Sequence, residues 1–308
     1  RYSVASRGLG DVYKRQVIQV PTMSFYEYCE LLNLDKPSLS ENLKATQMLH
    51  MTQQERSQIM LQLSKVQNHF NRYLQVGGFP ELALADNDIF AQQIMREDVV
   101  DKVLKRDLPS LYNIRNATEL ERIFLYLCNV SSEIVSMEAI AKELSGVSRP
   151  TVENYIRYLE SANLIYQSWP VDMAGKKVLK AKPKIYIADA AIRNAVLMDD
   201  SLLTDPVEMG KIVETAIYKH VAAFYYQKAT SVGYFRGGKK NKEIDIVVDY
   251  PGTKNILIEV KYREGAPIPN DDAIVELCDQ AAAAIIVTKT PEDFGVHDTP
   301  QGTQMLRI

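Results

Sequence analysis

Residues 243–262 read EIDIVVDYPGTKNILIEVKY, two apolar runs either side of a Pro251-Gly252 turn. Side chains alternate along a strand, so Glu259 and Lys261 fall on one face. A hairpin folded near Gly252, the midpoint of positions 245 and 259, sets Asp245 beside them. Carboxylates on an otherwise apolar sheet call for a partner or a metal. Two acids with room for water suit Mg2+, which keeps several waters and needs few protein ligands. The ion would lower the pKa of a bound water, and Lys261 would orient that water or steady the phosphorane charge. Glu214, in GKIVETAIYKH at 210–220, offers a third carboxylate from the preceding helix. The candidate catalytic set is therefore Lys261, Asp245, Glu259 and Glu214, the three acids doubling as ligands for Mg2+ or Mn2+. A plain Glu259–Lys261 ion pair beside an exposed Asp245 is the competing reading.

Working outward, the pattern predicts strands at Lys184–Ala188, Val232–Phe235, Glu243–Asp249, Asn255–Tyr262 and Ala283–Thr288. Helices fall at Gly210–Tyr226 and around Asp271–Gln280, which makes an α/β unit with a mixed sheet. Helix Glu, strand Asp, hairpin, Glu-x-Lys, helix and strand, in that order, resemble the PD-(D/E)xK nuclease superfamily over roughly residues 205–290. The resemblance implies a restriction-endonuclease-like fold and metal-dependent cleavage of nucleic acid, although family members often keep the fold without demonstrated cleavage. Nearby basic residues (Lys176, Lys177, Lys180, Lys182, Lys184, Arg236, Lys239, Lys240, Lys242) could track a phosphate backbone, Lys239 and Lys240 foremost, or form a solvated loop face.

Upstream, a short helix over Met137–Leu144, the turn Ser145–Ser148 and a helix from Arg149 lead into a strand near Ile165. Pro150 suits an early helical position, where a missing N–H costs little. Val152, Tyr155, Ile156 and Leu159 form the inward stripe. The arrangement resembles a winged helix-turn-helix, whose second helix would read DNA through Ser148, Arg149, Thr151, Asn154 and Arg157. The alternative is that this helix only packs domains or contacts protein. Earlier helices are expected after Ser24, which has Glu27 in capping-box spacing, over 52–74, over 87–106 and over Glu119–Cys128. Gly77-Gly78-Phe79-Pro80-Glu81 reads as a glycine-shaped turn between them. The four histidines show no metal spacing, and His220 is expected to be structural.

Residues 6–16, SRGLGDVYKRQ, match the in-frame translation of a transposase-based sequencing adapter, so 1–16 are expected to be a non-native tail with no structure of their own. Without them the net charge moves from −3 to about −6. Such a balance argues against wholesale polyanion binding and leaves room for a local basic patch. Cys29, Cys128 and Cys278 lie far apart, which suits a reducing cytoplasm. The longest apolar run, Ala281 to Val287, is far short of the roughly 20 residues that span a bilayer.

The segments IQVPTMSFYEYCELL at 18–32, YLQVGGFPE at 73–81, KRDLPSLYNIRN at 105–116 and KIYIADAAIRNAV at 184–196, followed by the EIDIVV and IEVK strands, resemble prokaryotic AAA-type ATP-binding proteins with a C-terminal domain of unknown function. These are relatives of archaeal-type ATPases. The resemblance implies a P-loop core before Val17, hence an N-terminal truncation, and ATP bound only by the full-length protein. No GxxxxGKS or GxxxxGKT occurs in this chain, so no ATP-binding residue is assigned. The expected class is multidomain α and α/β. The divisions are a tail at 1–16, the end of an AAA core at 17–34, a helical region at 35–130, a winged helix at 131–170 and a nuclease-like domain at 171–308. Three functions compete: a nucleic-acid-acting ATPase with a nuclease-like module, a regulatory NTPase whose module is a scaffold, and a protein-interaction adaptor. DNA and a further copy of the chain are the candidate partners; a membrane is not expected.

Overall fold

The computed structural model describes residues 20–37, 45–171, 173, 181–198, 204–226, 228–229, 231–237, 242–249, 252–265 and 267–308. The adapter-like tail, most of the VIQV run, Lys176, Lys177, Lys180, Lys239 and Lys240 lie outside them. Helix α1 spans Phe25–Leu31 and opens on the expected capping box, with the Ser24 side chain accepting from the Glu27 N–H and the Glu27 side chain from the Ser24 N–H. Helix α2, Gln53–Val76, has the same device in Thr52 and Glu55. A nearly continuous helical stretch then runs from Asp88 to Tyr112, with π-helical turns at Met95–Asp101 and Val103–Asp107.

Next come α3 (Ala117–Asn129), β1 (Glu133–Ile134), α4 (Met137–Glu143), α5 (Arg149–Ser161), β2 (Ile165–Ser168) and β3 (Lys184–Ile187). The three strands form an antiparallel sheet in the order β1-β3-β2. The Lys184 strand, expected in the mixed sheet, is thus the centre of this earlier one. Every residue of β3 is buried, as a central strand covered on both faces must be. The two-residue β1 was too short to give an alternation signal.

Helices α6 (Ala190–Leu197) and α7 (Pro206–Tyr225) follow. The second sheet takes β4 (Ser231–Gly237), β5 (Lys242–Asp249), β6 (Ile256–Val260), β7 (Ala283–Val287), β8 (Gly295–Asp298) and β9 (Gln304–Arg307), with α8 (Ala273–Leu277) between β6 and β7. Its order is β4-β5-β6-β7-β9-β8; β6-β7 and β7-β9 are parallel and the other pairs antiparallel. The fold is therefore a helical region joined to a six-stranded mixed-sheet unit. The β8-β9 edge pair was not foreseen, because β8 is partly exposed along its length and shows no clean alternation.

A single apolar core runs from Tyr28 in α1 through α2, α3 and α5 to Ile212, Val213 and Ala216 in α7. A second lies between α8 and the six-stranded sheet, around Ile244, Leu257, Ile274 and Ile286. Tyr186, Tyr218, Ile246 and Ile258 fill the space where β3, α7 and that sheet meet. The Tyr186 and Tyr218 rings stack there at 3.9 Å.

One buried polar joint ties the entry segment to these layers. Asp189, which caps α6, accepts from Lys219 Nζ at 3.0 Å, from the Thr22 hydroxyl at 2.7 Å and from the Gly78 N–H at 3.1 Å. Lys219 also donates to the Met23 carbonyl at 2.8 Å and to the Tyr73 hydroxyl at 2.6 Å. Burial works against the Asp189 charge, yet Lys219 and these donors hold its carboxyl below the usual range. His220 accepts from the Phe25 N–H at 2.9 Å and contacts the Ala216 carbonyl, a structural role.

Candidate active site

Strands β5 and β6 pair Ile246 with Ile258, Val247 with Leu257 and Val248 with Ile256. The next rung brings Asp245 opposite Glu259, the register read from the sequence. Asp245 Oδ2 accepts from the Val260 N–H at 2.9 Å, and Glu259 Oε2 lies 3.4 Å from the Asp245 amide nitrogen. Lys261 Nζ stands 3.4 Å from Glu259 Oε1 and 2.9 Å from Asp272 Oδ2.

Glu214 arrives from α7, and a residue from outside the sheet joins it. Lys184 Nζ, at the start of β3, lies 2.8 Å from Glu214 Oε1, 2.8 Å from Glu243 Oε1 and 3.1 Å from Asp245 Oδ1. Its side chain is only 3% exposed. The Tyr186 hydroxyl, two residues along the same strand, donates to Glu214 Oε1 at 2.8 Å. Glu214, Asp245, Glu259 and Lys261 thus lie in one cluster, and the sequence reading missed Lys184 as its centre and Glu243 as a member. Glu243 carried a signal, since it sits two positions before Asp245 and so shares its face. Lys184, set by the sequence reading among the basic residues that could track a phosphate backbone, is instead buried against three carboxylates, and its one pointer to this place was the oddity of a lysine opening an apolar central strand.

Burial first, and then the Asp245 charge, push Glu214 up to about 7 against the pull of Lys184. The same two causes raise Glu259 to about 8, opposed by Lys261. Burial disfavours the Lys184 charge, but Asp245, Glu214 and Glu243 outweigh it and hold the ammonium above its ordinary range. Both Asp245 oxygens accept from the chain itself, Glu214 Oε1 receives Lys184 and Tyr186, and Glu259 Oε1 faces Lys261. With Lys184 in place this donor set fits an ammonium rather than a divalent ion. Among the described residues no group of three or more His, Cys, Asp or Glu is arranged to hold a metal.

These shifts give the fold a pH dependence. A carboxyl raised in the folded state contributes stability that is present below its unfolded pKa, near 4.5, and lost as pH rises through about 7 for Glu214 and about 8 for Glu259. His220, lowered by burial to about 4 from 6.5, acts oppositely: its contribution is present above 6.5 and lost as pH falls toward 4. Thermal melts across this range are expected to pass through a maximum. Glu259→Gln should flatten the alkaline limb by several degrees, at about 2–4 °C per kcal/mol. An alkaline limb identical to that of the unaltered chain would reject this assignment.

The candidate nucleic-acid residues lie on α5. Val152, Tyr155, Ile156 and Leu159 are buried there, and Arg149 and Arg157 are exposed. Asn154 is partly exposed and accepts from Arg157. Arg149 pairs with Glu138 and, at 2.8 Å, with Glu153. Thr151 shares a 2.8 Å hydrogen bond with Ser148, the helix cap.

No helix among the described residues is long and apolar enough to cross a membrane. The chain resembles three uncharacterized proteins. With MJ1544 of Methanocaldococcus jannaschii it shares 24% identity over 66% of this chain and 44% of the relative. With a Haemophilus influenzae protein the figures are 25% over 40% and 32%, and with MJ1637 of M. jannaschii 23% over 77% and 49%. The chain therefore spans less than half the length of these relatives. No solved structure matches it. Residues 67–203 match the Domain of unknown function (DUF8612) and residues 209–307 the Domain of unknown function (DUF4143), so the helical region with its three-stranded sheet falls largely to the first model and the acidic cluster, Lys184 excepted, to the second.

Proposed function

We propose that this chain is the nucleic-acid-associated C-terminal region of an AAA-type ATP-binding protein. In this reading α3, β1, α4, α5, β2 and β3 form a winged helix, and the six-stranded unit is a restriction-endonuclease-like module. ATP would be bound elsewhere in the whole, cytoplasmic protein, whose greater length in the relatives leaves room for such a core. The observation that carries the reading is the two-sided character of α5. Its inner stripe is buried in the core, and Arg149, Asn154 and Arg157 line the other side, as a helix set against DNA requires. Thr151 at its first turn would add a phosphate contact, and Lys239 and Lys240, outside the described residues, are further candidates for one. Glu138 and Glu153 temper Arg149, so Arg157 would carry the larger share of phosphate attraction.

Binding of labelled duplex DNA followed by anisotropy at several salt concentrations tests this. Arg157→Ala is expected to weaken binding alike across sequences and to reduce the salt slope by about 1. An unchanged slope, or no binding by the unaltered chain, would leave α5 as a protein-contact or self-association surface. The second reading concerns cleavage. Asp245, Glu259 and Lys261 share the layout that a Mg2+-dependent nuclease uses, with Glu214 as a further ligand, and Lys261→Ala would then abolish cleavage of DNA or RNA. The ammonium of Lys184 between Glu214, Glu243 and Asp245 favours a scaffold without cleavage. Metal-dependent nicking by the unaltered chain and not by Lys261→Ala would reverse that preference.

A further inference from the structure

We propose that Lys184 is the resident cation of the acidic cluster, and that it makes the cluster a latch between the two sheets instead of a metal centre. The inference does not depend on DNA binding by α5. Lys184 belongs by its backbone to the three-stranded sheet, where it pairs with Ile134 and Ser168. By its side chain it belongs to the other unit, touching Glu243 and Asp245 of β5 and Glu214 of α7. Tyr186 makes the same crossing, since its hydroxyl donates to Glu214 and lies 3.4 Å from the Asp245 carbonyl oxygen.

The charge balance explains why a cation must stand there. Glu214, Glu243, Asp245 and Glu259 would repel one another if all were ionised in this largely buried space, which is why Glu214 and Glu259 hold their protons to higher pH and why the charge that remains is met by cations. Two lysines share the work. Lys261 faces Glu259 and Asp272 on one side, and Lys184 closes the other. A divalent ion seated between Glu214 Oε1 and Asp245 Oδ1 would have to displace Lys184, whose ammonium would then lose the carboxylates it pairs with in this buried position. Metal binding at that seat and the joint between the sheets are therefore mutually exclusive.

The test compares thermal melts of the full chain in EDTA and in Mn2+, together with a calorimetric Mn2+ titration. The unaltered chain is expected to melt at the same temperature in both and to bind no Mn2+ at millimolar concentration. Lys184→Met strands three carboxylates. It should melt roughly 10 °C lower in EDTA, and Mn2+ should recover part of the loss. Lys184→Arg, which keeps the charge, should stay insensitive to metal. Should Lys184→Met not fold, Glu243→Gln is the milder probe: it removes one partner at the open side of the cluster and should lower the melting temperature without creating a response to Mn2+. Tight Mn2+ binding by the unaltered chain overturns the proposal. So does a Lys184→Met chain as stable as the parent in EDTA, or a Glu243→Gln chain with an unshifted melt.

Discussion

Lys219→Met is expected to destabilise the fold by about 3–5 kcal/mol, read as a drop in the urea midpoint at unchanged slope. The side chain is 3% exposed and its partner carboxylate, Asp189, 2%. Methionine keeps most of the apolar stem and removes the charge, so the loss falls on what remains. Asp189 would stay buried with one donor fewer, and the Met23 carbonyl and Tyr73 hydroxyl would each lose a hydrogen bond. Leaving one member of a buried pair uncompensated costs far more than the pair contributes when intact. Asp189→Asn in the same chain should therefore restore part of the loss, and the double-mutant cycle should show strong coupling. Additive single effects would mean that the two side chains do not depend on each other.

Gly77→Ala at the same joint is expected to cost about 2–5 kcal/mol, summing strain and overpacking. Gly77 has φ +74° and ψ −168°, a region only glycine enters readily. A β-carbon there would lie 2.2 Å from Asp189 Oδ1 and 2.6 Å from the β-carbon of Ala191. The clash falls on the buried carboxylate that Lys219 neutralises, so the chain cannot relax by swinging a surface side chain aside. Unfolding in urea measures the loss. A midpoint within error of the parent would show that the loop after α2 moves freely.

The hairpin was legible because two local rules agreed. A period of two fixed which residues share a face, and a turn read from the sequence near Gly252 suggested the register, so Asp245 could be set opposite Glu259 without a structure. The inward stripe of α5 was legible for the same reason, with a helical period. Lys184 was not, because its partners lie 30 and 61 residues away, at Glu214 and Asp245. No local pattern announces a lysine whose backbone serves one sheet and whose charge serves another. The glycine pair shows the intermediate case. The turn at 77–78 could be read locally, but its reason, the close approach of Asp189, Met23 and Lys219, is tertiary. The β8-β9 edge went unread because short, half-exposed strands leave little amphipathic trace.

Helix α7 begins where the two family matches meet, since its cap Asp205 falls between residues 203 and 209. Yet Ile212, Val213 and Ala216 complete the first core, and Tyr218 stacks on Tyr186 of β3. The seam visible in the family matches is therefore not a seam in the packing. A genetic exchange that replaced the second segment alone would bring in a helix whose inner face had been shaped by another partner, and would lose Glu214 and Lys219 together. Lineages that keep this arrangement must pass both segments on as a pair, and a substitution in either one narrows the changes the other can accept.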